Sequence, residues 1–274
     1  MNFLFADNDQ LIEGLELVLW TLLTHNKNCN IYIATMNISV FEKRNNAFHT
    51  YNAMRQDQRD WITKIVKYLD YNSNVCFIDC EDYYHKYLEG SVNEDTPFTP
   101  FTNLRLMADV MLPEIDDIFY LDSDIAIQGN LEDMYHHYIH NNPYPYAISC
   151  AYDAFDGKGE DVAGVLLMNL KKMRETGFLV KARELFMKNE YRFPDQMAIR
   201  DAGPGMRLPE TYGYMEPLEE APYDPVILHF TNHLGPKIYC KDRPNHVEYF
   251  YKRYPQFKYV QEGLEKLKTF HMYI

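Results

Sequence analysis

The sequence is organised around one short stretch, Ile118-Phe119-Tyr120-Leu121-Asp122-Ser123-Asp124. Four apolar residues predict a buried β-strand, and the strand ends abruptly in two aspartates separated by one serine. Because alternate side chains of an extended chain point to the same side, we expect the carboxylates of Asp122 and Asp124 to converge while Ser123 turns away. The stretch therefore predicts a strand with two acidic ligands at its carboxyl end.

A pair of close carboxylates is unfavourable unless a cation compensates the charge. Ligands of open α/β sheets lie beyond the carboxyl ends of the strands, which is where Asp122 and Asp124 are expected. Oxygen ligands favour Mg²⁺ or Mn²⁺. The alternative is an exposed turn in which the two aspartates cap a helix, and the spacing alone leaves both interpretations open.

Strand and helix patterns alternate on both sides of this stretch. Strands are predicted at 3–5, 30–34, 75–78, 118–121, 147–150, 162–168 and 226–228. Helices are predicted at 11–22, 57–69, 101–111 and 171–188. This alternation predicts an α/β fold with a parallel sheet and crossover helices.

A histidine follows the last predicted strand. His229 comes directly after the apolar residues 226–228, with His233, Gly235 and Lys237 close behind. A site of two carboxylates and one imidazole suits Mn²⁺ better than a site of oxygen ligands alone. Gly235 permits close approach of a ligand to the backbone. Lys237 offers a positive charge for phosphate. The alternative is a hydrogen-bonded core histidine beside an unrelated loop, and His233 is the weaker rival ligand.

Two charged side chains are candidates for ligand binding: Arg105 lies on the helix predicted at 101–111, and Asp7 follows the first predicted strand. Arg105 precedes the aspartate pair along the chain and suits an anionic ligand, or it pairs with Asp109 on the same helix. Asp7 follows the first strand and suits hydrogen bonding to a base edge, or it caps the next helix together with Asp9.

A second polar pair, Asp195 and Gln196, follows Pro194 at the start of a helix-like run. Proline is common in the first turn of helices, so Asp195 is either a cap or a functional group. In the functional interpretation, the two side chains address sugar hydroxyls or a reacting carbon.

Composition limits the classes of partner. The 274-residue chain has a formal net charge of -13, which excludes non-specific nucleic-acid binding and repels anionic substrates unless a metal or a local basic cluster intervenes. The five cysteines form no zinc-site spacing and favour reduced thiols in a cytoplasmic protein. The sequence contains no pattern of a secretory signal or of a membrane-spanning segment.

Taken in order, these motifs resemble glycosyltransferase family 8, the retaining transferases of the GT-A fold, which includes glycogenins and bacterial lipopolysaccharide galactosyl- and glucosyltransferases. The matching segments are Ala6-Asp7, Arg105, Tyr120-Leu121-Asp122-Ser123-Asp124, Ala163-Gly164-Val165-Leu166-Leu167-Met168-Asn169-Leu170, Asp195-Gln196, His229-Phe230-Thr231 and Lys237. The resemblance implies a mostly parallel, Rossmann-like central sheet flanked by helices. We expect this GT-A domain to span 1–240 and a helical, aromatic and basic extension to span 241–274.

The resemblance also implies a UDP-sugar donor and a metal, Mn²⁺ or Mg²⁺, which Asp122, Asp124 and His229 bind and which bridges the pyrophosphate. Asp195 and Gln196 are implied as catalytic residues: the first binds a sugar hydroxyl, and the second lies near the anomeric carbon. The residues implied to contact the donor are Ala6, Asp7 (at the uracil), Asp9, Arg105, Asp122, Ser123, Asp153, Gly235 and Lys237 (at the leaving diphosphate).

The implied reaction moves a hexose, galactose or glucose, to a saccharide or lipid-linked saccharide acceptor in the synthesis of lipopolysaccharide or another cell-surface glycan. Retention of configuration has two routes, double displacement through an enzyme nucleophile and front-face attack. Because the amide of Gln196 is a poor nucleophile, we expect front-face transfer, in which the departing phosphate takes the acceptor proton and Gln196 stabilises positive charge.

The chain departs from the family pattern at Val162, Met197 and Arg200, where similar enzymes usually carry Asn, Asp and Asn. These positions surround the implied sugar and acceptor pockets and leave the metal ligands intact. Two other functions therefore stay open. One is a non-catalytic nucleotide-sugar-binding module of the same fold, and the other is an unrelated metal-dependent phosphohydrolase.

The C-terminal residues 249–268 are rich in aromatic and basic side chains. Such a stretch suits peripheral contact with an anionic surface at the inner face of the cell membrane, where a lipid-linked acceptor would lie. The alternative is a packed terminal helix with a solvated basic face.

Overall fold

A seven-stranded sheet forms the centre of the computed structural model, which describes residues 1–42, 46–94, 96, 98–152, 159–215, 225–229, 265–266 and 269. The strands are β1 (Asn2–Ala6), β2 (Asn30–Thr35), β3 (Ile38–Glu42), β4 (Ala47–Tyr51), β5 (Asn74–Asp79), β6 (Ile118–Leu121), β7 (Ile125–Ile127), β8 (Tyr146–Tyr152), β9 (Gly159–Met168), β10 (Met206–Arg207), β11 (Tyr212–Met215) and β12 (Ile227–His229). The helices are α1 (Ile12–His25), α2 (Gln56–Leu69), α3 (Glu81–Tyr87), a 3-10 helix (Pro100–Met107), α4 (Ala108–Met111), α5 (Glu132–His140), α6 (Leu170–Thr176), α7 (Phe178–Lys188) and α8 (Pro194–Ala202).

The strand order in the central sheet is β10-β8-β9-β6-β1-β2-β5. All neighbouring pairs are parallel except those that involve β9, which runs antiparallel to both β8 and β6. The mostly parallel sheet implied by the sequence motifs is therefore confirmed. A smaller sheet, β11-β12-β7, and the hairpin β3-β4 lie outside it.

Helices cover both faces of the sheet because the central strands are apolar on both sides. In β6, Phe119 and Leu121 join the core beneath α1, α2 and α5. Ile118 and Tyr120 face the opposite core, which contains the 3-10 helix and α6 to α8. This alternation directs Tyr120, and Asp122 after it, toward the face that carries the 3-10 helix.

Two predicted helices differ from the observed ones. The helix expected at 101–111 begins as a 3-10 helix, in which side chains three residues apart are eclipsed, so Arg105 lies over Thr102 and donates to its carbonyl oxygen. The helix expected at 171–188 is split at Gly177. This glycine has a φ of 64°, and its left-handed conformation ends α6 and begins α7.

The expected boundary between 1–240 and 241–274 falls within residues 230–264, outside the described part of the chain, so this division stays a prediction. Most of the aromatic and basic C-terminal stretch lies there too. Among the residues that the structure describes, no helix is long and apolar enough to cross a bilayer.

Candidate functional site

The candidate site lies at the carboxyl ends of β1 and β6. These strands are parallel neighbours, and Leu4 pairs with Tyr120. Asp7, which follows β1, and Asp122, which follows β6, therefore lie at the same end of the sheet. The chain proceeds from β1 to β2 on one side and reaches β6 on the other, which makes this the topological switch point of the sheet. Open α/β sheets bind their ligands in the crevice at such a point.

His229 reaches this crevice through the smaller sheet. Strand β12 runs antiparallel to β7, and the pairing sets His229 opposite Ile125, the residue that follows Asp124. The Nε2 atom of His229 lies 3.2 Å from Oδ1 of Asp124 and 3.9 Å from Oδ2 of Asp122. One ligand atom from each of the three residues lies within 4.8 Å of the others. The structure thus brings together the three residues predicted to bind metal.

The absence of a side chain at Gly164 makes room for this cluster. A Cβ atom at this position would lie 2.3 Å from Cε1 of His229 and 2.6 Å from Oδ2 of Asp122. The carbonyl oxygen of Gly164 also accepts a hydrogen bond from the backbone N–H of Asp122, at 2.9 Å. Strand β9 therefore packs directly against the cluster and requires glycine at position 164.

The electrostatics of the cluster suit a divalent cation. Burial opposes the charged imidazole, yet the carboxylates of Asp124 and Asp122 raise the pKa of His229 above its ordinary value. Within the described residues, Nδ1 of His229 is buried without a hydrogen-bond partner. Two carboxylates and one imidazole form a donor set that accommodates Mn²⁺ or Mg²⁺. The residues present therefore fit the metal that the sequence resemblance implies.

Arg105 is buried beside the cluster and is 2% exposed. Its guanidinium contacts both Asp122, at 2.9 Å, and Asp195, at 3.1 Å. The ion pair with Asp109 that the sequence left open does not form, because Asp109 pairs with Arg183 at 2.5 Å. Arg105 thus links the candidate metal cluster to the polar pair at the start of α8.

Asp7 and Ser123 form the other wall of the crevice. The hydroxyl of Ser123 donates to Oδ1 of Asp7 at 2.5 Å, and Oδ2 of Asp7 is buried without a partner in the described part of the chain. Burial raises the pKa of Asp7 to about 7. Neither Asp7 nor Asp9 caps α1, whose N-cap is Leu11 without a side-chain hydrogen bond. Both carboxylates follow Ala6, at the end of β1.

Asp9 is held by the chain that follows the β3-β4 hairpin. Its backbone N–H donates to the carbonyl oxygen of Asn52 at 3.2 Å, and its own carbonyl oxygen accepts from the side chain of Gln58 at 2.8 Å. Its Oδ1 atom has no partner among the described residues. Asp9, two residues after Asp7, therefore keeps one buried oxygen without a partner in the described part of the chain.

Asp195 and Gln196 occupy the first turn of α8. The N-cap is Phe193, so Asp195 is not a cap. The pKa of Asp195 is raised because burial outweighs the opposing effect of Arg105. The Oε1 atom of Gln196 accepts a hydrogen bond from the backbone N–H of Ala163 at 3.1 Å. Asp195 is therefore linked to the site by Arg105, and Gln196 by Ala163. The sequence alone indicated neither contact.

A bulge in β9 supplies these contacts. The pairing with β8 moves from Ile148–Leu166 to Ser149–Val162, which leaves residues 163–165 out of the β8 ladder. The N–H of Ala163 is therefore available to Gln196, and its carbonyl oxygen accepts from Arg105.

Some predicted residues lie outside the described part of the chain: Asp153, His233, Gly235 and Lys237. Other contributors were missed. Tyr120 contacts Asp122, and period-two alternation along β6 was a signal for it. The roles of Gly164 and Ala163 depend on the bulge in β9, for which the sequence offers no comparable signal.

The model of the family "Glycosyl transferase family 8" matches residues 4–206 of this chain. That match covers the last three residues of β1, both aspartates of the pair, the bulge and α8. No curated protein matches the chain at a significant level.

Several solved structures share the fold. The galactosyltransferase LgtC, in complex with donor and acceptor sugar analogues, is 16% identical with a TM-score of 0.64, over 90% of this chain and 94% of that one. Glycosyltransferase GlyE of Streptococcus pneumoniae is 21% identical with a TM-score of 0.59, over 97% and 63%. Mouse xyloside xylosyltransferase 1 is 13% identical with a TM-score of 0.58, over 85% and 99%. At these identities the likeness shows a common fold, which is GT-A.

Proposed function

Since the chain belongs to glycosyltransferase family 8, we propose that it transfers a hexose from a UDP-sugar to a saccharide acceptor, with retention of configuration. Galactose and glucose are the proposed hexoses, and a lipid-linked saccharide is included among the acceptors. One observation carries the proposal: Asp122, Asp124 and His229 converge at the switch point of the sheet, with ligand atoms within 4.8 Å of one another.

Asp122, Asp124 and His229 would hold Mn²⁺ or Mg²⁺ there. When bound, this cation acts as a Lewis acid that stabilises charge on the diphosphate leaving group. It also reconciles an anionic donor with a chain of net charge -13. Gly235 and Lys237, outside the described residues, are proposed to approach the same diphosphate.

The nucleoside half of the donor is proposed to lie against Ala6, Asp7 and Ser123. Asp7 has a buried oxygen without a partner in the described chain, and uracil presents an N–H that needs an acceptor. Asp9, at the same end of β1, is proposed to address the donor as well. A buried acceptor that is satisfied only by the correct base provides discrimination between bases.

The sugar half is proposed to lie against Asp195 and Gln196. Asp153, which is outside the described residues, is proposed to lie near the same sugar. Asp195 is 7% exposed and bound to Arg105, and Oε1 of Gln196 is engaged by Ala163. Neither group therefore offers an unengaged nucleophile. This favours front-face transfer over a covalent sugar–enzyme intermediate.

In that transfer, the bond between the anomeric carbon and the phosphate oxygen breaks, and its electron pair stays on the phosphate. The acceptor hydroxyl oxygen bonds to the anomeric carbon on the same face, and its proton passes to the departing phosphate oxygen. The amide of Gln196 is proposed to stabilise the positive charge that develops on the sugar. Arg105 would serve the donor by orienting Asp122 and Asp195.

A panel of nucleotide-sugars with and without Mn²⁺ tests the proposal, scored by hydrolysis, transfer and thermal stabilisation. Mn²⁺-dependent turnover of a UDP-hexose is the expected result. Stabilisation without turnover would favour a non-catalytic binding module. Metal-dependent cleavage of simple phosphoesters, with no preference for nucleotide-sugars, would contradict the proposal.

Contact of residues 241–274 with the inner face of a cell membrane stays a prediction. Co-sedimentation of the full chain and of a chain truncated at 240 with vesicles containing anionic lipid tests it. Loss of binding on truncation is expected, and equal binding by both chains would contradict it.

A further inference from the structure

The carboxylate of Asp122 has its two oxygens in different surroundings. Oδ1 accepts two hydrogen bonds, one from the hydroxyl of Tyr120 at 2.8 Å and one from Nη2 of Arg105 at 2.9 Å. Oδ2 is the oxygen that lies toward Nε2 of His229. One oxygen is thus committed to the protein, and the other faces the candidate metal site.

Tyr120 is well placed to hold that orientation. It pairs with Leu4 of β1 and Leu166 of β9, so its backbone is fixed on both sides, and its side chain is 1% exposed. The guanidinium carbon of Arg105 lies 3.9 Å from the centre of the Tyr120 ring, a cation–π contact. Nη2 of Arg105 also donates to the Tyr120 hydroxyl at 3.1 Å, which leaves the hydroxyl proton for Asp122.

These contacts give the Tyr120 hydroxyl a role beyond packing in the core, because they restrain the carboxylate of Asp122. A carboxylate with no partner rotates about its Cβ–Cγ bond and offers a cation either one or both oxygens. With Oδ1 held by a phenol and a guanidinium, rotation of Asp122 would break two half-buried hydrogen bonds, both of them charge-assisted because the acceptor is a carboxylate. Outer partners of this kind fix the geometry of ligands in metal sites.

We propose that Tyr120 is a positioning residue for the metal: its hydroxyl, together with Arg105, holds Asp122 so that only Oδ2 is presented to the cation. The inference rests on the proposed metal site. It predicts that removal of the hydroxyl, with the ring retained, lowers metal affinity without removing any ligand.

The test is the variant Tyr120→Phe, which keeps the ring beneath Arg105. The readout is the dissociation constant of Mn²⁺ in the absence of donor, from the electron paramagnetic resonance signal of free Mn²⁺. We expect affinity to fall about tenfold or more, as for other outer partners of metal ligands. Tyr120→Met, which also lacks a hydroxyl, replaces this variant if it does not fold.

The matched control is Tyr135→Phe. Tyr135 is 3% exposed and its hydroxyl donates to the carboxylate of Asp117, away from the cluster. This control removes the same group from a similarly buried tyrosine, so a purely structural effect would lower the melting temperature in both variants. Only Tyr120→Phe is expected to weaken Mn²⁺ binding.

A double-mutant cycle with Asp122→Asn shows whether Tyr120 acts through Asp122. In that background, Tyr120→Phe is expected to cost little further affinity. Unchanged affinity of folded Tyr120→Phe, or an equal loss in both backgrounds, would overturn the inference. Failure of the wild-type chain to bind Mn²⁺ would overturn the proposed metal site itself, and the two failures are thereby distinguished.

Discussion

Addition of a single methyl group at Gly164 should disable the metal site without removing a ligand. In Gly164→Ala, the new Cβ would lie 2.3 Å from Cε1 of His229 and 2.6 Å from Oδ2 of Asp122. Non-bonded carbon atoms are most stable at about 3.5–4.0 Å. The imidazole must therefore move by about 1 Å or more, or the bulge in β9 must shift.

Metal sites do not accommodate such a shift, because ligand distances hold to within about 0.2 Å. Displacement of an outer partner costs about 10–100-fold in affinity, and displacement of a ligand should cost at least as much. We therefore expect Mn²⁺ affinity to fall at least about 100-fold, which corresponds to roughly 2.8 kcal/mol.

The assay is Mn²⁺ titration by electron paramagnetic resonance, with melting temperature and circular dichroism as measures of folding. Gly203→Ala is the control: its Cβ would lie 3.3 Å from Cε2 of Phe178, a contact that is tight but about 1 Å longer than the one at Gly164 and away from the cluster. It should bind Mn²⁺ like the wild type. A folded Gly164→Ala variant with wild-type affinity would refute the assignment of His229 and Asp122 as ligands supported by β9.

Three further outcomes are expected. Arg183→Met leaves Asp109 buried without its partner and should lower the free energy of unfolding by about 3–5 kcal/mol in urea titrations; an unchanged value would contradict the role of this ion pair. Because burial raises the pKa of Asp7 to about 7, the folded chain binds that proton more tightly than the unfolded one, and stability in EDTA should fall as pH rises from about 4 to about 7, on the order of 4 kcal/mol in all. Asp7→Asn should remove this part of the slope, and parallel curves for the two proteins would count against the shift. Iodoacetamide should label the exposed Cys76 but not Cys80, whose pKa burial raises to about 12; peptide mass mapping with equal labelling would contradict that burial.

The sequence was informative where chemistry and periodicity coincide. Asp122 and Asp124 follow a strand of four largely apolar residues, so their place at the carboxyl end of a strand could be predicted from residues 118–124 alone. The ends of β1 and β6 meet because parallel neighbours expose the same edge. Asp7 lies near the pair because β1 is the parallel neighbour of β6, an adjacency that the local pattern did not predict.

Other features depend on long-range pairing that local patterns do not encode. His229 lies beside Asp124 because β12 pairs with the three-residue strand β7, which is too short to give a periodic signal. The contact of Gln196 with Ala163 depends on the bulge in β9, and the pairing of Arg105 with Asp122 and Asp195 replaces the local partner Asp109. In each case the position of the side chain depends on a contact with a residue that is distant in sequence.

The central claim is that three side chains from two distant stretches jointly hold one cation for the diphosphate of the donor. Calorimetric titration of UDP into the wild-type chain and into His229→Ala, each with Mn²⁺ and with EDTA, tests it most directly. The account predicts that Mn²⁺ tightens UDP binding to the wild type by at least about tenfold, and that His229→Ala loses this gain. Equal UDP affinity of the wild type in Mn²⁺ and EDTA, or a gain retained in His229→Ala, would contradict it.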